Sequence, residues 1–226
     1  YVVDNSAWLV AFPFLILWSL SPYVAYSLSK DKEQDTFDLD DEQKIYLRMI
    51  SRRTWHFYET FLTDEDNWLI PDNFQEIPKP VIAHRTSPTN IGGQLLSIVS
   101  AFDMGHITSL ERINHLDKSI RSILKLEVTH GHFYNWYDTK TLEPLHPLYI
   151  STVDSGNLAA HLIVAKQASA DALTSPLIDN KLLQGLTDTL ILFKEYLNKL
   201  DIERKDSFNL MIDSILDSIK MNNPEN

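Results

Sequence analysis

The sequence contains no cysteine, which excludes disulfide frameworks, thiol nucleophiles and thiolate metal sites. Glycine is also scarce, with six residues in 226, and none of them forms a phosphate-cradling loop. Positive charge is in short supply: 20 Lys and Arg against 31 Asp and Glu give a formal net charge of -11. Because the basic residues are scattered rather than aligned in a stripe, nucleic acid is not an expected partner.

Several catalytic signatures are missing as well. Neither HExxH nor GxSxG occurs, and the closest histidine pair, His130 and His132, has no acidic residue at ligand spacing. We therefore expect no metal site and no cofactor. What the chain does have is a 44% apolar and 11% aromatic content, enough to bury a sizeable core.

Residues 1–30 form an apolar segment with no charged side chain between Asn5 and Ser29. Its length permits a membrane span, whereas Pro13 and Pro22 predict interruptions of a helix. The sequence leaves two interpretations open, a membrane-embedded or interfacial segment at residues 5–29 and a helix packed on the domain. Residues 31–42 are rich in charge and predict a linker that ends in a helix cap at Asp40 or Asp41.

From residue 43 to 226 the apolar periodicity predicts an all-α domain. A capping box formed by Thr108 and Glu111 marks one helix start. Long irregular stretches at 64–90 and 129–154 alternate with short turns, which predicts helix pairs with their long loops on one face. The other predicted helices lie at about 43–62, 91–104, 158–170, 177–200 and 208–221.

Three polar and aromatic clusters occur in these loops or at helix starts: PDNFQE at 71–76 with AHRTSPTN at 83–90, HFYNWYDT at 132–139 and STVDSGN at 151–157. Sugar recognition uses this mixture, since carboxylates and amides bind hydroxyl groups and aromatic faces cover pyranose rings. We expect the clusters to converge at one end of the helix layer, with Trp68 as a further platform. The candidate substrate-binding residues are Asp72, Asn73, Gln75, Glu76, His84, Arg85, Thr86, Ser87, Asn90, Asn135, Trp136, Tyr137, Asp138, Asp154, Ser155 and Asn157.

Several of these residues also fit structural roles. Asp154, with Ser155 and Asn157, precedes a predicted helix and could cap it. Arg85 could hold a loop carboxylate instead of a ligand. Adjacent residues of an extended run face opposite sides, so one of Trp136 and Tyr137 should be buried and the other available. We expect Trp136→Ala and Asp138→Ala to weaken sugar binding without unfolding the protein.

Two long strings carry a resemblance to a known family. TWHFYETFLTDEDNWLIPDNFQEIPKPVIAHRTSPTNIG at 54–92 and GHFYNWYDTKTLEPLHPLYISTVDSGNLAAHL at 131–162 resemble the region of cyclic β-1,2-glucan synthases that follows their glycosyltransferase module. The apolar run FPFLILWSLSPYVAYSLS at 12–29 resembles the segment that precedes this region. The match covers roughly residues 7–165 and fades beyond about residue 169.

The resemblance implies part of a large enzyme of the bacterial inner membrane. The matching region would be the N-terminal half of a glycoamylase-like domain, an α/α-barrel that cyclises β-1,2-glucan by transglycosylation, with the catalytic glutamates expected beyond residue 226. Its partners would be β-1,2-glucan and the remaining modules of the synthase. A non-catalytic membrane-tethered module and a small stand-alone β-glucanase remain alternatives. For half a barrel we expect exposed apolar faces on the last helices, around Leu190, Phe193, Leu197, Ile212 and Ile215.

Overall fold

A computed structural model describes residues 7–29, 38–174, 176 and 179–222. The chain divides into two compact units, Tyr1–Asp40 and Asp41–Asn226. Of the predicted linker at 31–42, residues 31–37 lie outside the described part of the chain, and Asp41 and Glu42 form the first turn of a helix.

The first unit contains helix α1, Ala7–Ser29, which is continuous through Pro13 and Pro22. The predicted interruption is therefore wrong. A proline at position 22 cannot donate to the carbonyl of Trp18, four residues earlier. The hydroxyl of Ser21 donates to that same carbonyl at 2.9 Å and replaces the missing bond.

The second unit confirms the all-α class. Its helices are α2 (Asp41–Phe61), α3 (Pro88–Asp103), α4 (Ser109–Ile123), α5 (Thr152–Asp171), α6 (Asn180–Lys199) and α7 (Lys205–Asn222), with a 3-10 turn at Ala172–Thr174. The capping box of Thr108 and Glu111 at the start of α4 is present as predicted. Of the helix predicted at 177–200, residues 177 and 178 lie outside the described residues.

Two helices begin earlier than predicted. Helix α3 starts at Pro88 instead of residue 91, because Ser87 accepts a hydrogen bond from the Asn90 amide and acts as the N-cap. Helix α5 starts at Thr152 instead of residue 158, with Ser151 as its N-cap. Asp154, Ser155 and Asn157 therefore lie inside the helix rather than in front of it.

Short strands in the two long loops pair into three antiparallel two-stranded sheets, β1–β2, β3–β6 and β4–β5. The strands are β1 (Phe74–Gln75), β2 (Val81–Ile82), β3 (Arg85–Thr86), β4 (Val128–Thr129), β5 (His132–Phe133) and β6 (Tyr137–Asp138). The β3–β6 sheet joins the loop before α3 to the loop before α5.

Helix α3 lies at the centre of the core and packs against α2, α4 and α5. Ile91, Leu95 and Ile98 are fully buried at helical spacing along one face. The contact with α5 is close, since a Cβ added at Gly92 would lie 2.1 Å from Nδ1 of His161. This close packing fixes α3 and α5 relative to each other.

Helix α6 is attached to the rest of the unit by a buried carboxylate. Asp188 accepts hydrogen bonds from Nε and Nη2 of Arg48 at 3.1 and 2.7 Å and lies 3.0 Å from Nε2 of His106. The exposed apolar faces predicted for the last helices are present only in part. Phe193 and Ile215 are exposed, Leu190 is half-buried, and Leu197 and Ile212 are buried.

Candidate functional site

The pairing of β3 with β6 brings the first two sequence clusters together. Arg85 lies opposite Asp138 and Thr86 opposite Tyr137, and the Thr139 amide donates to the His84 carbonyl at 3.1 Å. The third cluster joins through α5, where Asn157 Nδ2 donates to the Thr89 hydroxyl at 3.3 Å. The predicted convergence of the three clusters is confirmed.

Arg85 is the centre of one half of the site. Its Nε and Nη2 donate to Asp72 Oδ2 at 3.2 and 3.0 Å, and its Cζ lies 4.8 Å from the ring centroid of Trp136. Asn90 Nδ2 donates to the other oxygen of Asp72 at 3.2 Å. The guanidinium is thus held by a carboxylate on one side and by an aromatic ring on another, although about half of its side chain remains exposed.

Asn135 connects this half to the start of α5. With its amide oriented to suit its neighbours, Asn135 donates to Asp154 Oδ2 at 2.9 Å and accepts from Trp136 Nε1 at 2.8 Å and the Tyr149 hydroxyl at 2.6 Å. The Thr89 hydroxyl donates to Asp154 Oδ1. Asp154 lies in the first turn of α5, where the partial positive charge of the helix N-terminus favours a carboxylate.

An open cleft of about 460 Å³ lies beside Arg85. His84 lies at its wall and places Nδ1 2.7 Å from the buried carboxylate of Asp66, which also accepts from the Thr139 hydroxyl. The cleft is lined by Asn73, Gln75, Val81, Ala83, His84, Arg85 and Leu145. Four of the sequence-predicted residues therefore share one cleft.

Three residues predicted for the site are buried instead: Thr86, Ser87 and Tyr137. Tyr137 is fully buried, donates to the Glu127 carbonyl at 2.6 Å and accepts from the Tyr134 amide at 2.7 Å. Burial raises the pKa of the Tyr137 hydroxyl to about 12. As expected for neighbours in an extended run, Tyr137 is buried while Trp136 keeps part of its surface exposed.

Other predicted residues lie at the edge of the site or serve the loops. Asp138 Oδ1 accepts from the amides of Lys140 and Thr141 at 2.8 and 2.9 Å, so this carboxylate holds the turn. Glu76 is exposed. Trp68 is half-buried, with Lys118 Nζ 3.6 Å from its ring centroid, and it does not line the cleft.

Two residues of the network were missed by the sequence analysis, Asp66 and Tyr149. Asp66 lies in the string TDEDNW, where adjacent acids give no signal of which one is buried. Tyr149 lies two residues after Pro147 in an irregular stretch and has no periodic context. In the described parts of the chain, no group of three or more His, Asp or Glu side chains is placed to hold a metal ion.

No known family model matches the chain. Over 208 residues it is 43% identical to the cyclic β-(1,2)-glucan synthase NdvB of Rhizobium meliloti strain 1021, a match that covers 90% of this chain. The chain is homologous to one segment of a cyclic β-1,2-glucan synthase. The chain spans only 7% of the length of this relative.

Two solved structures of proteins named as glucoamylases, from Bacteroides fragilis NCTC 9343 and Bacteroides caccae ATCC 43185, align with this chain. The first shares 14% identity and covers 81% of this chain and 37% of its own, with a TM-score of 0.39. The second shares 17% identity and covers 76% and 36%, with a TM-score of 0.37. TM-scores this low do not support a shared fold, and the all-α class is assigned from the helices of this chain.

Proposed function

We propose that the unit Asp41–Asn226 binds linear β-1,2-glucan across the loops that precede α3 and α5, as the N-terminal part of an α/α-barrel that cyclises the glucan by transglycosylation. The single observation that supports this most strongly is the stack of Arg85 on Trp136 beside the open cleft. The homology to a synthase named for β-(1,2)-glucan supplies the substrate class.

The chemistry of the cleft suits a neutral polymer of sugar rings. Next to the cleft, the partly exposed Trp136 provides an aromatic surface for the C–H face of a pyranose, and Arg85 at the cleft wall provides donors for hydroxyl groups. Asn73 and Gln75 are exposed at the cleft wall and offer both donors and acceptors. Because Arg85 is already oriented by Asp72, binding needs little additional ordering of its side chain.

The carboxylates of the site are assigned to binding and loop support rather than to bond cleavage. A retaining transglycosylase needs two carboxyl groups about 5 to 5.5 Å apart, one as nucleophile and one as acid and base. Asp72 is paired with Arg85, Asp138 holds a turn, and Asp154 accepts from Thr89 and Asn135. We place the catalytic pair in another part of the synthase.

Calorimetric titration of the chain, purified in mild detergent, with linear β-1,2-gluco-oligosaccharides tests this function. Oligosaccharides with β-1,3 and β-1,4 linkages serve as ligand controls. Trp136→Ala should weaken β-1,2 binding about tenfold to a hundredfold, the equivalent of about 1 to 3 kcal/mol. A matched control is Tyr196→Ala, since Tyr196 is an exposed aromatic on α6 with Lys199 Nζ 5.3 Å from its ring. Equal weakening by both variants, or no binding by the unaltered chain, contradicts the proposal.

A second role, attachment to a membrane, is favoured by α1. Residues 8–29 have a mean hydropathy of 1.6, and the apolar side chains of α1, including Trp8, Leu9 and Trp18, are exposed. At about 1.5 Å per residue its 23 residues reach about 34 Å, enough for a hydrocarbon core of about 30 Å. We propose that α1 lies in or on the inner membrane and that the remaining modules of the synthase are the protein partners.

A further inference from the structure

His84 and Asp66 form a pair that the proposed function does not use. The imidazole of His84 lines the cleft with 28% of its side chain exposed, whereas the Asp66 side chain is 5% exposed. Nδ1 of His84 lies 2.7 Å from Asp66 Oδ1. The histidine is therefore turned so that Nδ1 faces the protein interior, and Nε2 is the ring nitrogen left for the cleft.

Asp66 is itself fixed in place. Its Oδ1 accepts from the Thr139 hydroxyl, while the neighbouring Asn67 Nδ2 donates to the Thr139 carbonyl at 2.8 Å and the Lys140 carbonyl at 2.9 Å. These bonds tie the loop before β1 to the turn after β6. A carboxylate can only accept, so the hydrogen bond to His84 requires a proton on Nδ1.

We propose that Asp66 is a positioning residue that holds neutral His84 in the tautomer with its proton on Nδ1, and that His84 Nε2 accepts a hydrogen bond from a glucosyl hydroxyl bound in the cleft. This inference rests on the proposed glucan binding. Arg85, next along β3, can only donate. An acceptor and a donor side by side match the two roles of a sugar hydroxyl, which can donate and accept at once.

The first test reads the tautomer directly. In the full chain labelled with ¹⁵N-histidine, at a mildly alkaline pH, the imidazole shifts of His84 should show a protonated Nδ1 and an unprotonated Nε2. Asp66→Leu should move the proton toward Nε2, because no acceptor then faces Nδ1. Thr139→Val is the control, since it removes the other donor to Asp66 and should leave the tautomer unchanged. A proton on Nε2 in the unaltered chain overturns the proposal.

The second test measures affinity for linear β-1,2-gluco-oligosaccharide. His84→Asn keeps a donor near the position of Nδ1 but nothing near Nε2, and should weaken binding about threefold to tenfold. His84→Gln places an amide near Nε2 and should retain more affinity. Asp66→Leu should weaken binding as His84→Asn does although its histidine is intact, and thermal melts establish that each variant is folded.

The outcomes separate this inference from the function on which it rests. If the unaltered chain does not bind the oligosaccharide, the proposed function fails. If it binds and folded His84→Asn binds equally well, the function stands and the role of His84 is refuted. Should Asp66→Leu fail to fold, the tautomer of the unaltered chain and the comparison of His84→Asn with His84→Gln still decide the question.

Discussion

Arg85 is held by two partners within the chain: Asp72 accepts two of its hydrogen bonds and Trp136 lies under its guanidinium. Its side chain is half exposed, so these contacts orient the group more than they stabilise the fold. Trp136 is in turn fixed by its indole N–H bond to Asn135. A site whose aromatic and cationic groups are held in position loses little conformational entropy when a sugar binds.

Tyr137 should behave as a core residue. Tyr137→Phe removes the hydroxyl that connects the Glu127 carbonyl to the Tyr134 amide and leaves both backbone groups without that partner. We expect the free energy of unfolding to fall by about 1 to 3 kcal/mol, measured by denaturant unfolding. Affinity for the oligosaccharide should change little, and a large loss of affinity at unchanged stability would contradict this role.

The expectation for Asp138 changes with the structure. Because its Oδ1 accepts from two turn amides, Asp138→Ala should cost about 1 to 2 kcal/mol of stability and weaken glucan binding only through the loosened turn. Asp138→Asn keeps an acceptor oxygen and should recover most of the stability in the same unfolding measurement. Loss of binding in a fully stable Asp138→Asn variant would restore Asp138 to the binding surface.

The sequence predicted which loops carry the site better than it predicted how each side chain in those loops is oriented. The mixture of aromatic and polar residues located the loops, and the alternation rule separated Trp136 from Tyr137. Asp66 could not be singled out, because its burial depends on a pairing with His84 eighteen residues away and with Thr139 in a different loop. From sequence, Arg85 fitted both a bond to a loop carboxylate and a contact with a ligand. Its side chain is bonded to Asp72 and still about half exposed, which is compatible with both roles.

Among the helices, the sequence predicted best those ends at which a side chain close in sequence caps the helix. The Thr108 capping box appears as expected, whereas the starts of α3 and α5 were placed too late. The Ser87–Pro88 step carried the missing signal, since serine at the N-cap followed by proline at the first helical position is a favoured start. The strand pairing of β3 with β6 was not predictable, because two-residue strands carry no periodic pattern.

The contact of α6 with the turn between α3 and α4 depends on Gly185. A Cβ at this position would lie 1.9 Å from the Gly105 carbonyl oxygen. Gly185→Ala should therefore displace α6 and lower the free energy of unfolding by about 1 to 3 kcal/mol. Gly156→Ala in α5 is the matched control: its Cβ meets nothing within 4 Å, and alanine should raise stability by about 0.5 to 1 kcal/mol. Similar unfolding midpoints for both variants would contradict this packing.

The contact between α4 and α2 predicts that the stability of the folded chain depends on pH. Burial lowers the pKa of the His115 imidazole, whose ring centroid lies 5.8 Å from that of Trp55. The unfolded chain, with a histidine pKa near 6.5, therefore takes up the proton more readily than the folded chain. Stability from this residue is present above about pH 6.5 and is lost as the pH falls.

His115→Phe should flatten this part of the pH profile of thermal stability between about pH 7 and pH 5. The aromatic ring keeps its contact with Trp55 but no longer titrates. His132→Phe, at an exposed position of β5, controls for loss of a histidine and should leave the profile unchanged. Identical slopes for the unaltered chain and His115→Phe would show that His115 does not cause the dependence.

At the scale of the whole molecule, the chain combines an apolar helix with a helical unit whose loops carry the polar cluster. If α1 inserts in lipid, the full chain should float with phospholipid vesicles. Ile16→Arg should reduce flotation, because arginine near the centre of a membrane helix costs about 2.5 to 3.5 kcal/mol. Leu210→Arg on α7, where the side chain is 71% exposed, is the matched control. Equal flotation of the two variants would argue against membrane insertion of α1.

The central claim is that β-1,2-glucan binds at the loops around Trp136, and the five tryptophans of the chain allow one direct measurement. The chain is labelled with ¹⁵N-tryptophan and its indole N–H signals, assigned by single Trp→Phe variants, are followed during titration with a linear β-1,2-gluco-oligosaccharide. We predict a saturable shift of the Trp136 signal, while Trp8, Trp18 and the buried Trp55 stay in place. A titration in which Trp136 does not move, or in which only Trp8 and Trp18 move, would contradict the account.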